Sequence, residues 1–269
     1  MKFNLKGLLA IAAAASALVL SGCGEQAADN SKIKVGVMAG AEAQVAEVAA
    51  KVAKEKYGLD VELVTFTDYV TPNAALDDGS IDINAFQHKP YLDQQVADRG
   101  YKLTIAGNTF VYPIAGYSKQ VKAVDEIQDG ARIAVPNDPT NLGRSLLLLE
   151  QQGLLKLREN VGLLATVRDI VENPKNITIV ELDAAQLPRS LDDVALSVIN
   201  TTYASSINLT PQKDGVFVED KESPYVNLIV SREENLNAEN VQNFVKSYQT
   251  EEVYKAASDI FQGGVVKGW

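Results

Sequence analysis

Phe86, His88 and Tyr91 bring three flat rings together where a predicted strand hands over to a helix, and Tyr69 holds the equivalent place after the strand before it. Aromatic walls suit a soft, polarizable group such as a thioether, because each sulfur–ring contact adds about 0.3–1.5 kcal/mol. Ordinary core packing around a satisfied structural histidine is the competing account of the same rings. A second cluster, residues 136–144 (PNDPTNLGR), lies between a strand and a Leu-rich helix. A helix N-terminus offers backbone N–H groups that favour an anion. Arg144, in the first turns, carries a planar fork matched to a carboxylate. An arginine on the outer face would be solvated instead, but Leu146 to Leu149 follow at once and give it apolar neighbours. The third element is a pair of asparagines. Asn200 ends one predicted strand and Asn227 stands inside the strand-like YVNLIV, where asparagine is disfavoured. An amide both donates and accepts, so it can meet either end of a zwitterion; an edge asparagine facing water is the alternative.

Other chemistry is limited by what the chain lacks. It has one histidine and one cysteine. Metal sites usually draw on several such ligands, so neither a metal nor a cofactor is expected. A Ser-His-Asp mechanism would have to use His88, and no G-x-S-x-G elbow accompanies it. No catalytic residue is assigned. Acidic residues outnumber basic ones 35 to 25, a formal charge of −10, which argues against nucleic acid as a partner because phosphate binding needs a basic surface.

The cysteine, Cys23, has a different use. Lys2 and Lys6, the apolar run Leu8–Leu20 and the tetrad Leu20-Ser21-Gly22-Cys23 read as a lipoprotein signal peptide over residues 1–22. The apolar run is short for about 30 Å of hydrocarbon, and such a leader is cleaved rather than retained as a span. Cys23 would then carry the lipid (palmitate), and the small polar stretch to residue 32 would be a flexible tether. This places the body on the periplasmic side of the cell membrane, anchored at Cys23, with inner and outer membrane both open.

The elements that must position these clusters alternate from Ile33 onward. Strands are predicted at Ile33–Val37, Val61–Phe66 and Ile81–Phe86, with a helix ending at Gly58 and another over Pro90–Arg99. Thr109–Ser118 is extended but contains Pro113, so it reads as an edge or a crossing. A second series follows: strand Arg132–Pro136, helices Asn141–Gln152 and Val161–Glu172, and strands Ile177–Leu182 and Ala195–Asn200. Tyr225–Ser231 then returns the chain before helices Ala238–Tyr248 and Glu251–Phe261. This order predicts an α/β fold with parallel sheets. Periodicity alone admits either one doubly wound sheet or a two-lobed clamshell with two extended crossings, its cleft at the strand C-termini.

Six strings add a resemblance: VELVTFTDYV (61–70), NAFQHKPYLD (84–93), GNTFVYPIAGYS (107–118), VPNDPTNLGRSLLLL (135–149), VINTTYA (198–204) and ESPYVNLIV (222–230). Together they resemble the methionine-binding lipoproteins of the NlpA/MetQ family, and the similarity spans the whole chain after the leader. The resemblance implies a type II-like periplasmic-binding clamshell, with residues 33–113 and 225–269 as lobe 1 and 114–224 as lobe 2. It implies capture of L-methionine, with D-methionine also possible, for delivery to an ABC importer made of a membrane permease and an ATPase. It places Tyr69, Phe86, His88 and Tyr91 around the ligand's side chain, Arg144 on its carboxylate, and Asn141, Asn200 and Asn227 at its polar end. Alternatives on the same fold are a related amino acid, a methionyl dipeptide, an enzyme with His88 as base, or an adhesin.

Overall fold

A computed structural model describes residues 30–220 and 223–269 of the chain. The readings made on residues 1–29, which include the leader, Cys23 and most of the tether, lie outside the described residues. Two mixed sheets organise the rest. The first begins with β1 (Lys32–Met38), α1 (Ala41–Tyr57), β2 (Asp60–Phe66), the short α2 (Thr71–Asp77), β3 (Ile83–His88), α3 (Lys89–Arg99) and β4 (Leu103–Val111). α1 forms because an Ala- and Val-rich stripe (Val45, Ala46, Ala49, Val52, Ala53) faces the sheet and is buried. Gly58 ends it in the left-handed region at φ 65°, which a side chain would oppose. α3 carries Pro90 in its first turn and is stopped by Gly100.

The chain then crosses at residues 112–114 into the second sheet. This comprises β5 (Ala115–Tyr117), β6 (Arg132–Pro136), α4 (Pro139–Gln151), a hairpin of β7 (Lys156–Leu157) with β8 (Ile170–Glu172), β9 (Thr178–Leu182), the helical turn α5 (Leu187–Ser190), β10 (Leu196–Ile199), α6 (Thr201–Ser205), α7 (Pro211–Asp214) and β11 (Phe217–Val218). A second crossing brings back β12 (Val226–Arg232), followed by α8 (Glu239–Tyr248), α9 (Glu251–Ile260) and β13 (Val266–Lys267).

Strand order is β2-β1-β3-β12-β4-β13 in one sheet and β9-β6-β10-β5-β11 in the other. Each therefore repeats one plan: three parallel strands, then an antiparallel strand supplied by a crossing. The expected parallel sheets are present with one refinement: each also carries an antiparallel strand. β12 and β5 arrive directly from the opposite sheet, without the helical connection that would turn them parallel. Pro113 falls between β4 and β5, where no ladder bond is required of it.

The predicted helix Val161–Glu172 is also corrected. Two 3₁₀ turns and β8 occupy that stretch. Asn160 and Gly162 take φ of 59° and 71°, which no helix propagates, and Thr166 with Asp169 forms a capping box that restarts the chain locally. Nearby, the predicted strand Ile81–Phe86 is shifted, running from Ile83 to His88.

Apolar side chains of α1, α8 and α9 pack on one face of the first sheet, with Phe110, Phe244 and Val253 fully buried. α4 packs on the second sheet through Leu146, Leu148 and Leu149. A further cluster joins the two sheets, uniting Met38, Phe86 and Tyr91 with Tyr117, Leu187, Ile199 and Tyr203. Residues Ser31–Trp269 form one unit.

Candidate ligand-binding site

The site grows from strand ends. Phe86 and His88 close β3, Tyr91 lies in the first turn of α3, Tyr69 follows β2, Asn141 and Arg144 open α4 after β6, Asn200 follows β10, and Asn227 lies in β12. All eight line one pocket between the sheets. Gln87, Tyr112, Thr201 and Thr202 also line it and were not foreseen. Thr201 and Thr202 follow a candidate residue directly, so the β10–α6 turn could have indicated them. Tyr112 and Gln87 gave no separate signal.

One side of the cavity is aromatic. The centroids of Tyr69 and Phe86 lie 5.9 Å apart, Phe86 and Tyr91 6.0 Å, and Tyr69 and Tyr91 6.2 Å. The Tyr91 hydroxyl donates to the Tyr69 backbone carbonyl at 2.8 Å, which fixes the Tyr91 ring. Tyr203 packs against Tyr69 at 4.9 Å from across the cleft.

The opposite side is a polar chain whose directions can be worked out from one end. Both carboxylate oxygens of Asp138 face the Asn141 side-chain nitrogen, at 3.0 and 3.1 Å, so that nitrogen donates and Oδ1 of Asn141 points away. His88 Nδ1 accepts the backbone N–H of Tyr91 at 3.2 Å as the cap of α3, so its proton sits on Nε2 and is donated to Asn141 Oδ1 at 3.2 Å. Asn200 also donates its amide nitrogen to Asn141 Oδ1, at 2.9 Å. This leaves Oδ1 of Asn200 as a buried acceptor with no hydrogen-bond partner among the described residues. Asn227 donates to the Phe86 carbonyl at 3.0 Å.

Two consequences follow for the charges. Burial, reinforced by the nearby Arg144 cation, pushes the His88 imidazole down to about 3. The ring is therefore neutral, with both nitrogens engaged, and neither is placed to accept a substrate proton. Burial also raises the Asp138 carboxyl, against the hydrogen bonds it accepts from Asn141 and Thr140. The free helix N-terminus expected at α4 is corrected: the Asp138 side chain accepts the Asn141 backbone N–H at 2.9 Å and Pro139 has none to offer. Arg144, not the helix end, is the cationic feature. It is 4% exposed and bonded to Glu219, which the sequence reading did not single out.

Glu42, in the first turn of α1, accepts the hydroxyl of Thr202 across the cleft. Burial pushes its carboxyl up to about 8. Between the ordinary carboxylate range and pH 8 the folded state therefore holds a proton that the unfolded chain has lost, so stability falls as pH rises through this window. Glu42→Gln, a neutral isostere that keeps the acceptor, is expected to match the wild type at pH 5. At pH 8.5 it should be more stable by about 4 kcal/mol, as read by urea unfolding. An equal change at both pH values would contradict a protonated Glu42.

Two α/β lobes meeting at two crossings over a cavity with a polar and an aromatic side define the class of two-lobed solute-binding proteins. The model of the NlpA lipoprotein family matches residues 33–269, and the chain belongs to that family. It is 85% identical over 269 residues, the whole of both chains, to a probable D-methionine-binding lipoprotein of Vibrio cholerae. A nutrient-binding protein from Burkholderia cenocepacia, solved bound to methionine, is 51% identical with a TM-score of 0.86, covering 88% of this chain and all of that one. A periplasmic substrate-binding protein of an ABC transporter from Coxiella burnetii is 47% identical with a TM-score of 0.85, again covering 88% of this chain and all of the other.

Proposed function

We propose that this chain captures methionine between its lobes and delivers it to an ABC importer, without making or breaking a covalent bond. The observation that carries the reading is the division of one buried cavity into three matched parts. Arg144 offers a cation for the carboxylate. Oδ1 of Asn200, the unpartnered acceptor, suits the ammonium, with Asn141 and Asn227 beside it. The Tyr69, Phe86, His88 and Tyr91 rings suit the thioether. Residues 33–113 with 225–269 would move as one lobe and 114–224 as the other. Ligand would favour the closed state by its greater affinity for it, and closure would shape the surface a permease reads. Lipid on Cys23 would hold the protein at the periplasmic face of a membrane.

The names of the relatives support this reading and leave the stereochemistry to experiment. The full chain, purified in detergent, should release methionine on denaturation, identified by mass spectrometry with chiral separation. After ligand removal it should give saturable heat with L- or D-methionine. Recovery of another amino acid or a methionyl dipeptide, with no heat from methionine, would redirect the assignment.

A further inference from the structure

Arg144 is not a free cation awaiting a ligand. Its Nε–H donates to Oε1 of Glu219 at 2.8 Å, and Nη2 donates both to Oε2 of the same carboxylate and to the Tyr112 carbonyl at 3.1 Å. Those bonds engage three of the five guanidinium N–H groups and, among the described residues, leave the pair on Nη1. The Tyr225 ring lies 4.3 Å from Cζ. The two side chains are 3% and 11% exposed, so the pair is desolvated on both sides.

The partners of Arg144 all come from the crossings. Tyr112 belongs to the first, and Glu219 and Tyr225 bracket the second. The crossings are tied together where Glu219 donates its backbone N–H to the Ile114 carbonyl at 2.9 Å and accepts the Ile114 N–H on its carboxylate at 3.4 Å. A carboxylate so placed either blocks the arginine or orients it. The donor count favours orientation, because one whole edge of the fork is held and the other is left over. The same carboxylate cancels the arginine's charge. Asp138, committed to the first turn of α4, adds a further negative group, and His88 adds none.

We propose that Glu219 is a positioning residue: it holds Arg144 by its Nε–Nη2 edge, presents Nη1 to the ligand carboxylate, and sets the site to prefer a net-neutral zwitterion over an anion of the same shape. This rests on the methionine reading above. It deepens that reading by explaining why an amino acid is selected over its deaminated counterpart, beyond the loss of one ammonium contact.

The test compares methionine with its 2-hydroxy analogue, which keeps the thioether and carboxylate but carries a net negative charge. Calorimetry on the full chain should show that Glu219→Gln weakens methionine binding yet narrows the preference for methionine over the analogue by about tenfold or more, the scale on which one adjacent charge acts. Glu219→Asp, which keeps the charge, should retain the preference even if both affinities fall. Equal losses for both ligands in Glu219→Gln would mean a structural role only and overturn the proposal.

A second measurement needs no variant. In ¹⁵N NMR of the wild type, the Arg144 Nε–H should stay protected from exchange before and after methionine is added. Loss of that protection on binding would show that the ligand displaces Glu219, making it a competitor and overturning the proposal. Failure of the wild type to bind methionine at all would show instead that the underlying functional reading is wrong.

Discussion

Arg144→Ala is expected to weaken methionine binding by about a hundredfold or more, the usual consequence of removing one member of a buried, hydrogen-bonded charge contact. The same change should cost about 3 kcal/mol of stability, because it strands the Glu219 carboxylate in a desolvated place with, among the described residues, the Ile114 N–H alone left to it. The two effects can be separated. The double variant Arg144→Met/Glu219→Leu removes both charges and should recover most of the stability, since apolar replacements of a buried pair are often neutral or better. It should recover none of the affinity. Urea unfolding reads the first quantity and calorimetry the second. Near-wild-type affinity in Arg144→Ala would remove Arg144 from the site.

Gly143→Ala, one residue earlier, tests a different kind of constraint. Alanine inside an exposed helix is normally more favourable than glycine by about 0.5–1 kcal/mol. Here the sign should reverse. A Cβ on residue 143 would stand 2.1 Å from the carbonyl oxygen of Leu163 and 3.0 Å from the nitrogen of Ala165. These are backbone atoms and cannot swing aside as a side-chain tip would. Either α4 or the 162–165 turn must move, at about 2–3 kcal/mol by analogy with overpacked cores. Because α4 carries Asn141 and Arg144, a loss of ligand affinity should accompany the lower unfolding midpoint. A more stable Gly143→Ala would show that the close approach is absent in solution.

That contact also explains why part of the fold was not legible. Val161, Leu164 and Val167 have helical spacing, and nothing in their own identities reveals that Gly143 lets the chain there pass against α4. The strands β6, β9 and β10, by contrast, were readable to within a residue, because each is a short apolar run bounded by turn residues. Most of the candidate residues stood out because they sit where two local patterns meet, as Asn141 and Arg144 do just after the strand and the Pro-opened helix start, whereas Asn227 lies within β12. Glu219 was not. It lies outside any periodic segment, and its partner is 75 positions away in sequence. The buried amide trio of Asn73, Asn84 and Gln87 was missed for a related reason. Asn73 accepts from Asn84 and Gln87 at 2.9 and 2.6 Å, in a contact between α2 and β3 that composition cannot announce. The antiparallel strands were lost in the same way, since a strand's direction depends on where the chain has just been.

β12 has one more consequence, which concerns the order in which the protein can be built. It lies between β3 and β4, hydrogen-bonded to both, yet it is made after the entire second sheet, whose strands all fall between residues 115 and 218. A chain emerging from its N-terminus can therefore complete the second sheet while the first still has a gap at its centre. Pairing at such long sequence separation is slow, because loop closure comes before the contacts that reward it. If residues 1–22 act as the leader they resemble and the chain crosses a membrane unfolded, a missing central strand would keep the N-terminal half from locking before the C-terminal half has followed it through.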